Sequence, residues 1–136
     1  MADENKIFQV EIITPNRIFY KGESTMVEFN TVEGKLGVYK KHIPVTTVLA
    51  PGIVRIHKEG EEDRIAAIHS GFAEILPDKV TFLAEIAEWP EEIDRARAKA
   101  AMERAKARLE GKEEGVDLKR AEFALHKALV RMDIGE

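Results

Sequence analysis

The sequence contains no cysteine, which excludes disulfide bonds, thiolate metal sites and thiol nucleophiles. It also lacks an apolar run near the roughly 18 residues of a membrane span, and its first residues lack the basic start and apolar core of a secretory signal. We therefore expect a soluble chain of the cytoplasm. The formal net charge of −4 argues against a nucleic-acid partner, because nucleic-acid-binding domains are usually basic over one face.

A convincing catalytic or metal-binding set of residues is missing as well. The four histidines are scattered, and none has the spacing of a two-histidine zinc helix. Ser24 and Ser70 stand outside any nucleophile-elbow pattern. We therefore predict no catalytic residue, no metal site and no required cofactor, and we do not expect this chain to be an enzyme by itself.

Residues 1–88 have the sequence period of short β-strands. Phe8, Val10 and Ile12 alternate with polar residues, which predicts a strand with one buried and one solvent-facing side. Turn-forming residues separate further apolar segments, and the short connections favour antiparallel pairing. These segments predict strands over residues 18–21, 25–32, 45–49, 53–57, 64–68, 72–76 and 80–84. The N-terminal domain is therefore predicted to be an all-β sandwich.

Residues 89–136 change to the period of helices. Pro90 suits the first position of an alanine-rich helix that continues to Leu109, and acidic residues follow it where they complement the helix dipole. A polar connection over residues 110–115 precedes Asp117, which can cap a second helix. Apolar residues then recur at steps of three and four, at Leu118, Ala121, Leu125, Ala128 and Met132. We predict an α-helical hairpin as the C-terminal domain, and an α+β chain overall.

The predicted hairpin is thinly apolar and basic. Alanine buries little surface, so we expect weak packing of the helices and a hairpin that can move. Residues 94–108 carry six basic and two acidic side chains, and residues 118–131 carry four and one. This pattern is typical of solvated helix faces, and it also fits salt-sensitive docking against an acidic protein surface.

The order of motifs along nearly the whole chain resembles the epsilon subunit family of bacterial F-type (rotary) ATP synthases. The motifs that carry the resemblance are residues 11–15, 34–38, 42–44, 49–52, 71–75 and 80–84, followed by the alanine-rich hairpin. Two segments depart from the family pattern. Lys40 and Lys41 replace a proline-glycine pair, and His69-Ser70-Gly71 replaces a serine-glycine-glycine.

The resemblance implies a non-catalytic central-stalk subunit at the cytoplasmic face of the cell membrane. Its sandwich would hold the gamma subunit and touch the c ring, and its hairpin would either fold down or extend among the alpha and beta subunits to block ATP hydrolysis. His42 matches a family motif, although a structural role in a turn is an alternative. We expect Arg104, Arg108 and Arg131 to meet acidic surfaces of the catalytic subunits.

Residues 93–98 match a motif that is associated with ATP binding in bacterial members of this family. Ile93, Asp94, Arg97 and Ala98 are its matching residues, and Glu88 matches a further binding position. A carboxylate can accept from an adenine amino group or a ribose hydroxyl, and an arginine offers a fork to phosphate. ATP would then be a regulatory ligand.

The second helix offers two further candidate residues for ATP, and the motif also has a simpler interpretation. Arg120 and Arg131 would add phosphate contacts only if the hairpin folds closed. In the simpler interpretation, Asp94 and Arg97 form a helix-surface pair worth about 0.2–0.5 kcal/mol.

Two other functions remain open from the residues alone. One is a small ligand-binding β-sandwich with a dimerising helical tail, although the single tryptophan, Trp89, lies at the domain junction and not in a binding loop. The other is an enzyme, which would need a convergent set of titratable groups in a pocket.

Overall fold

The computed structural model describes residues 4–111 and 117–134. Ten strands precede two helices. The strands are β1 (Phe8–Ile13), β2 (Ile18–Ser24), β3 (Met26–Thr31), β4 (Gly34–Val38), β5 (Val45–Leu49), β6 (Gly52–His57), β7 (Arg64–Ile68), β8 (Gly71–Leu76), β9 (Lys79–Ala84) and β10 (Ala87–Glu88). The predicted all-β N-terminal domain is confirmed.

The strands pair in the order β10-β7-β6-β3-β5-β8-β9-β1-β2, and β4 lies beside β3. In the described part of the chain, a single residue pair of the ladder, Thr31 of β3 with Leu49 of β5, joins the two halves of this strand order, so the hydrogen-bonded ladder is narrowest there. Phe29 of β3 and Phe82 of β9 form an edge-to-face pair with ring centroids 4.9 Å apart. Both rings are fully buried, and they join the halves of the sandwich through its core.

The burial of β1 follows the predicted alternation. Phe8, Val10 and Ile12 are buried, whereas Gln9 is exposed. β1 pairs antiparallel with β2 but parallel with β9, where Val10 lies opposite Val80. The expectation of antiparallel pairing therefore fails at this one ladder, because its strands are far apart in sequence and need no hairpin turn.

Strands β4 and β10 were not predicted. β4 contains two glycines in five residues, which weakens its strand signal, and it is stabilised by pairing along β3. β10 has only two residues, and it pairs with the end of β7 so that Glu88 lies opposite Ala67. Tertiary pairing, and not local propensity, makes both of them strands.

The C-terminal part contains the predicted hairpin, with helices α1 (Arg95–Gly111) and α2 (Leu118–Asp133). The prediction that Pro90 opens the first α-helix is wrong. Pro90 begins a separate 3-10 turn over Pro90–Glu92, and Ile93 is extended before the helix starts. Glu110 and Gly111, which we predicted to begin the polar connection, are instead the last two residues of α1, and residues 112–115 of that connection lie outside the described residues.

Alanines form the contact between the two helices. Ala98 and Ala105 are the buried residues of α1, and Ala121 and Ala128 are those of α2. Each pair is seven residues apart, so each helix turns one narrow stripe towards the other. Arg95 at the start of α1 also donates to the backbone oxygen of Met132 near the end of α2. Within residues 4–111 and 117–134, neither helix is long and apolar enough to cross a membrane.

Candidate functional site

A cavity of about 350 Å³ lies where β10, the Pro90–Glu92 turn, α1 and the end of α2 come together. Its volume is within the range of roughly 300–1,000 Å³ that is common for ligand sites. Six of the seven residues predicted for ATP line it, namely Glu88, Ile93, Asp94, Arg97, Ala98 and Arg131. The seventh, Arg120, lies in the first turn of α2, where its backbone N–H donates to Asp117, and it is not part of the cavity wall.

Helix α1 supplies one wall of this cavity. Arg97, Ala101 and Arg104 are four and three residues apart, which places them on one face of the helix. Sequence reasoning assigned Arg104 only to partner contacts and did not single out Ala101. The spacing of seven between the two arginines was the signal that could have joined Arg104 to the motif.

The cavity is lined by three guanidinium groups and three carboxyl groups. They are Arg97, Arg104, Arg131, Glu88, Glu92 and Asp94. Such a wall can bind a ligand that carries both phosphate and hydrogen-bond donors, because arginine pairs with phosphate and carboxylates accept from amino and hydroxyl groups.

Glu88 connects the sandwich to the hairpin. Its Oε1 accepts from Nε of Arg131 on α2 at 2.8 Å, and from Nε2 of His69 at 2.8 Å. The carboxylate can only accept here, so the histidine proton is on Nε2. One oxygen atom therefore joins three elements: the end of β7, β10 and α2.

His69 is completely buried, and sequence reasoning did not assign it to the site. Burial lowers the pKa of His69, which outweighs the opposing effect of the hydrogen bond to Glu88, and the nearby charges of Arg131 and Lys127 lower it further. The ring is therefore neutral at pH 7. Its Nδ1 has no hydrogen-bond partner among the described residues. The only signal in the sequence was its departure from the family's serine.

Glu92 is held in place by residues at the junction between the sandwich and the hairpin. Its carboxylate accepts from the backbone N–H of Trp89 at 3.0 Å and from Arg17 at 2.8 Å. These bonds lower the pKa of Glu92, the backbone bond most. Trp89 in turn stacks on Phe19 with centroids 4.3 Å apart, and the Arg64 guanidinium lies 4.4 Å from its ring centre. One wall of the cavity is thereby fixed to the sandwich.

Asp94 caps α1. Its Oδ1 accepts from the backbone N–H of Arg97 at 3.1 Å, and its backbone oxygen accepts from Ala98. The predicted pair between the side chains of Asp94 and Arg97 is not among the ion pairs of residues 4–111 and 117–134. The Asp94 side chain therefore stabilises the helix start while it lines the cavity.

A second surface lies on the outer face of the sandwich. Val48, Phe72 and Leu83 are 44%, 53% and 51% exposed, and they stand side by side on β5, β8 and β9. Ile13 of β1 continues the line opposite Leu83. We call these four residues the apolar row. A contiguous exposed apolar strip of this kind is typical of a protein-binding surface.

The remaining predicted partner residues lie apart from one another. His42 is half-buried in the loop after β4, and its Nδ1 lies 2.7 Å from the backbone oxygen of Ile43, as expected of a turn residue. Lys41 before it has a φ of 68°, in the left-handed region that favours glycine. The chain therefore keeps a glycine-like turn without the glycine. Arg108 is exposed in the last turn of α1.

Two family models together cover residues 7–136. The beta-sandwich domain of the ATP synthase delta/epsilon chain matches residues 7–90. The long alpha-helix domain of the same chain matches residues 91–136.

Relatives match over almost their full length. An ATP synthase epsilon chain of Shouchella clausii is 50% identical over 94% of this chain and 94% of its own. One of Halalkalibacterium halodurans is 45% identical over 92% of this chain and 94% of its own.

Solved structures support the fold. A chain in the cryo-EM structure of the Euglena gracilis mitochondrial ATP synthase has a TM-score of 0.81 and 24% identity, over 95% of this chain and 81% of that one. A chain in the central stalk and c-ring structure of the Tetrahymena thermophila enzyme has a TM-score of 0.54 and 16% identity, over 93% and 92% of the two chains.

Proposed function

This chain belongs to the ATP synthase delta/epsilon chain family as an epsilon-type, non-catalytic subunit, and we propose that it joins the gamma subunit to the c ring and restrains ATP hydrolysis through its hairpin. Because the chain belongs to this family, we no longer retain the two alternative functions: a ligand-binding sandwich with a dimerising tail, and an enzyme. The observation that supports the regulatory role is the way the hairpin is attached. Arg131 of the hairpin forms a charged pair with Glu88 of the sandwich, beside a polar cavity.

The hairpin is thus built to leave the sandwich. The Arg131 and Glu88 side chains are 26% and 23% exposed in the docked state, and Arg131 becomes hydrated when the hairpin leaves, so undocking does not leave it as a buried, unpaired charge. Undocked, the helices would present Arg104, Arg108 and Arg131 to acidic surfaces of the alpha and beta subunits. A hairpin inserted there blocks rotation in the hydrolysis direction.

The apolar row supports an assignment for the gamma subunit. Four neighbouring strands place apolar side chains on one outer face, and burying such a strip under a partner is favourable by about 25 cal/mol per Å². For the c ring we assign the loop after β4, where Tyr39 and Ile43 are 65% and 76% exposed. With these assignments, we propose that the subunit is a peripheral component at the cytoplasmic face of the cell membrane.

ATP is the regulatory ligand that we assign to the cavity. Arg131 lines the same cavity as Glu88, Asp94 and Arg97 in the folded-down state, so a ligand that needs all four stabilises that state. ATP would then keep the hairpin away from the catalytic subunits when ATP is abundant.

Hydrolysis by the assembled complex tests the regulatory role. We expect deletion of residues 91–136 to raise ATP hydrolysis and to leave synthesis largely intact, because the sandwich retains the apolar row. Phe72→Asp should instead weaken incorporation into the complex, and Glu74→Ala on the same strand is its matched control. Unchanged hydrolysis after the deletion, in a complex that still contains the sandwich, would reject the brake.

A further inference from the structure

We propose that His69 is a positioning residue for the cavity: its Nε2–H holds the Glu88 carboxylate in the orientation that receives Arg131 and leaves the second carboxylate oxygen for a ligand. The proposal rests on the proposed nucleotide site for its effect on affinity. Its geometry can be tested without nucleotide.

The burial of His69 is unusual for its side chain. His69 has no exposed surface, although histidine carries two polar nitrogen atoms. Only Nε2 has a partner, and Nδ1 is an unpaired buried acceptor within the part of the chain that the structure describes. Burying an unpaired polar atom is unfavourable, so an apolar side chain of similar size would serve the core at least as well. Packing alone does not explain a histidine at this position.

Both donors to Glu88 meet at the same carboxylate oxygen. His69 and Arg131 both donate to Oε1, at 2.8 Å each, from opposite sides of the domain junction. Among residues 4–111 and 117–134, no hydrogen bond to Oε2 of Glu88 is found. Two donors on one oxygen restrict the orientation of the carboxyl group, and the other oxygen of this cavity-lining residue remains available as an acceptor.

His69 is also held in place relative to Glu88 by the main chain. It follows β7 directly, and its backbone N–H donates to Ile86 just before β10, so the main chain as well as the ring is fixed relative to Glu88. The charged groups that act electrostatically on the ring are Glu88 from β10, which is hydrogen-bonded to it, and Arg131 and Lys127 from α2. A rigid donor on the sandwich therefore sets the position of a carboxylate that a mobile hairpin must find again each time it docks.

Two substitutions form a matched pair for the test. His69→Gln places an amide N–H near the position of Nε2 and can still reach Glu88. His69→Asn places its amide near the position of Nδ1 and cannot. Loss of orienting partners at metal sites changes affinity by roughly 10- to 100-fold, and we expect about 10-fold weaker ATP binding for His69→Asn. The ATP affinity of His69→Gln should stay within about 3-fold of wild type, because its amide keeps the hydrogen bond to Glu88.

The experiment has two parts on the full-length chain. Calorimetry gives the ATP affinity of wild type and of the two variants. NMR without nucleotide gives the rate at which the Nε–H proton of Arg131 exchanges with water. Slow exchange in wild type and His69→Gln, with faster exchange in His69→Asn, supports the proposal, provided that His69→Asn still unfolds cooperatively.

Each contrary outcome has its own meaning. Equal Arg131 exchange in all three proteins overturns the positioning role, whatever the affinities. Equal ATP affinities in all three proteins overturn its effect on the ligand. If wild type does not bind ATP but the exchange rates differ as expected, the nucleotide site fails and His69 still stands as the residue that holds Glu88 for Arg131.

Discussion

The sandwich and the hairpin are stabilised in different ways. The sandwich buries large side chains completely, among them Phe29, Phe82 and Ile75, each of which contributes about 1.5–3 kcal/mol on burial. The buried residues within the two helices are alanines. One chain thus combines a part with a large apolar core and a part that packs through small alanines and meets the sandwich at polar contacts such as the Arg131–Glu88 pair. The regulatory role that we propose belongs to the second part.

The sharpest test of this comparison is one truncation in each part. Phe82→Ala should lower the free energy of unfolding of the sandwich by about 3–5 kcal/mol, because it leaves a cavity beside Phe29. Ala105→Gly should cost about 1 kcal/mol, through helix propensity, and only in the hairpin. Chemical denaturation followed by near-UV and far-UV signals separates the two.

A control for the helix is Ala107→Gly, because Ala107 is exposed on the same helix and reports propensity without packing. If Ala105→Gly moved the transition of the sandwich as far as Phe82→Ala does, the two parts would be one cooperative unit and the comparison would fail.

The next largest effect concerns the cavity between the two parts. Arg97→Ala should weaken ATP binding by about 10- to 150-fold, which is the loss of a charged hydrogen bond of roughly 1.5–3 kcal/mol. Asp94→Ala would also remove the helix cap at a cost of about 1 kcal/mol, so it cannot isolate a ligand contact.

Asp94→Asn is the matched variant, because asparagine caps as well as aspartate and removes only the charge. Calorimetric titration of the isolated chain distinguishes these cases. Equal binding by wild type and Arg97→Ala would show that the cavity is not a nucleotide site.

The stability of the chain should depend on pH through the titration of His69, the buried histidine at the junction between sandwich and hairpin. The pKa of His69 is lowered in the folded chain from its ordinary value of 6.5, so below that pH the unfolded chain binds more protons than the folded one. The stability that the chain has while His69 is neutral is fully present above pH 6.5. As the pH falls towards the folded pKa, the free energy of unfolding decreases by at most about 1.4 kcal/mol per pH unit. Thermal unfolding between pH 7 and pH 5 measures this slope.

His69→Leu should flatten that slope, because it removes the titrating group and the unpaired Nδ1 together. An unchanged slope would mean that carboxyl groups elsewhere dominate this pH range.

The smallest expected effect is a gain of stability in the sandwich. Lys41 holds a left-handed backbone that costs a residue with a side chain roughly 1–2 kcal/mol. Lys41→Gly should stabilise the fold by about 0.5–1 kcal/mol, after allowance for the greater freedom of glycine in the unfolded chain. Lys40→Gly, where the backbone has no positive φ, is the control and should not stabilise; a gain there equal to that of Lys41→Gly would contradict the explanation.

The sequence by itself determined the type of most elements. Alternation in β1 and the seven-residue spacing of buried alanines follow from the periods of strand and helix, which are local properties. Six of the predicted nucleotide residues also meet in one cavity, since five of them are near neighbours around the start of α1. Local reasoning failed at Pro90, because the cap at Asp94 starts the helix later.

Only the tertiary structure decided which distant residues meet. His69 and Arg131 are 19 and 43 residues away from Glu88, and no local period connects them. The same holds for the parallel pairing of β1 with β9 and for the exposed line of Val48, Phe72 and Leu83. Propensity and periodicity act over a few residues, whereas these contacts depend on how the sheet folds over its core and where the hairpin docks, and both are set by packing across the whole chain.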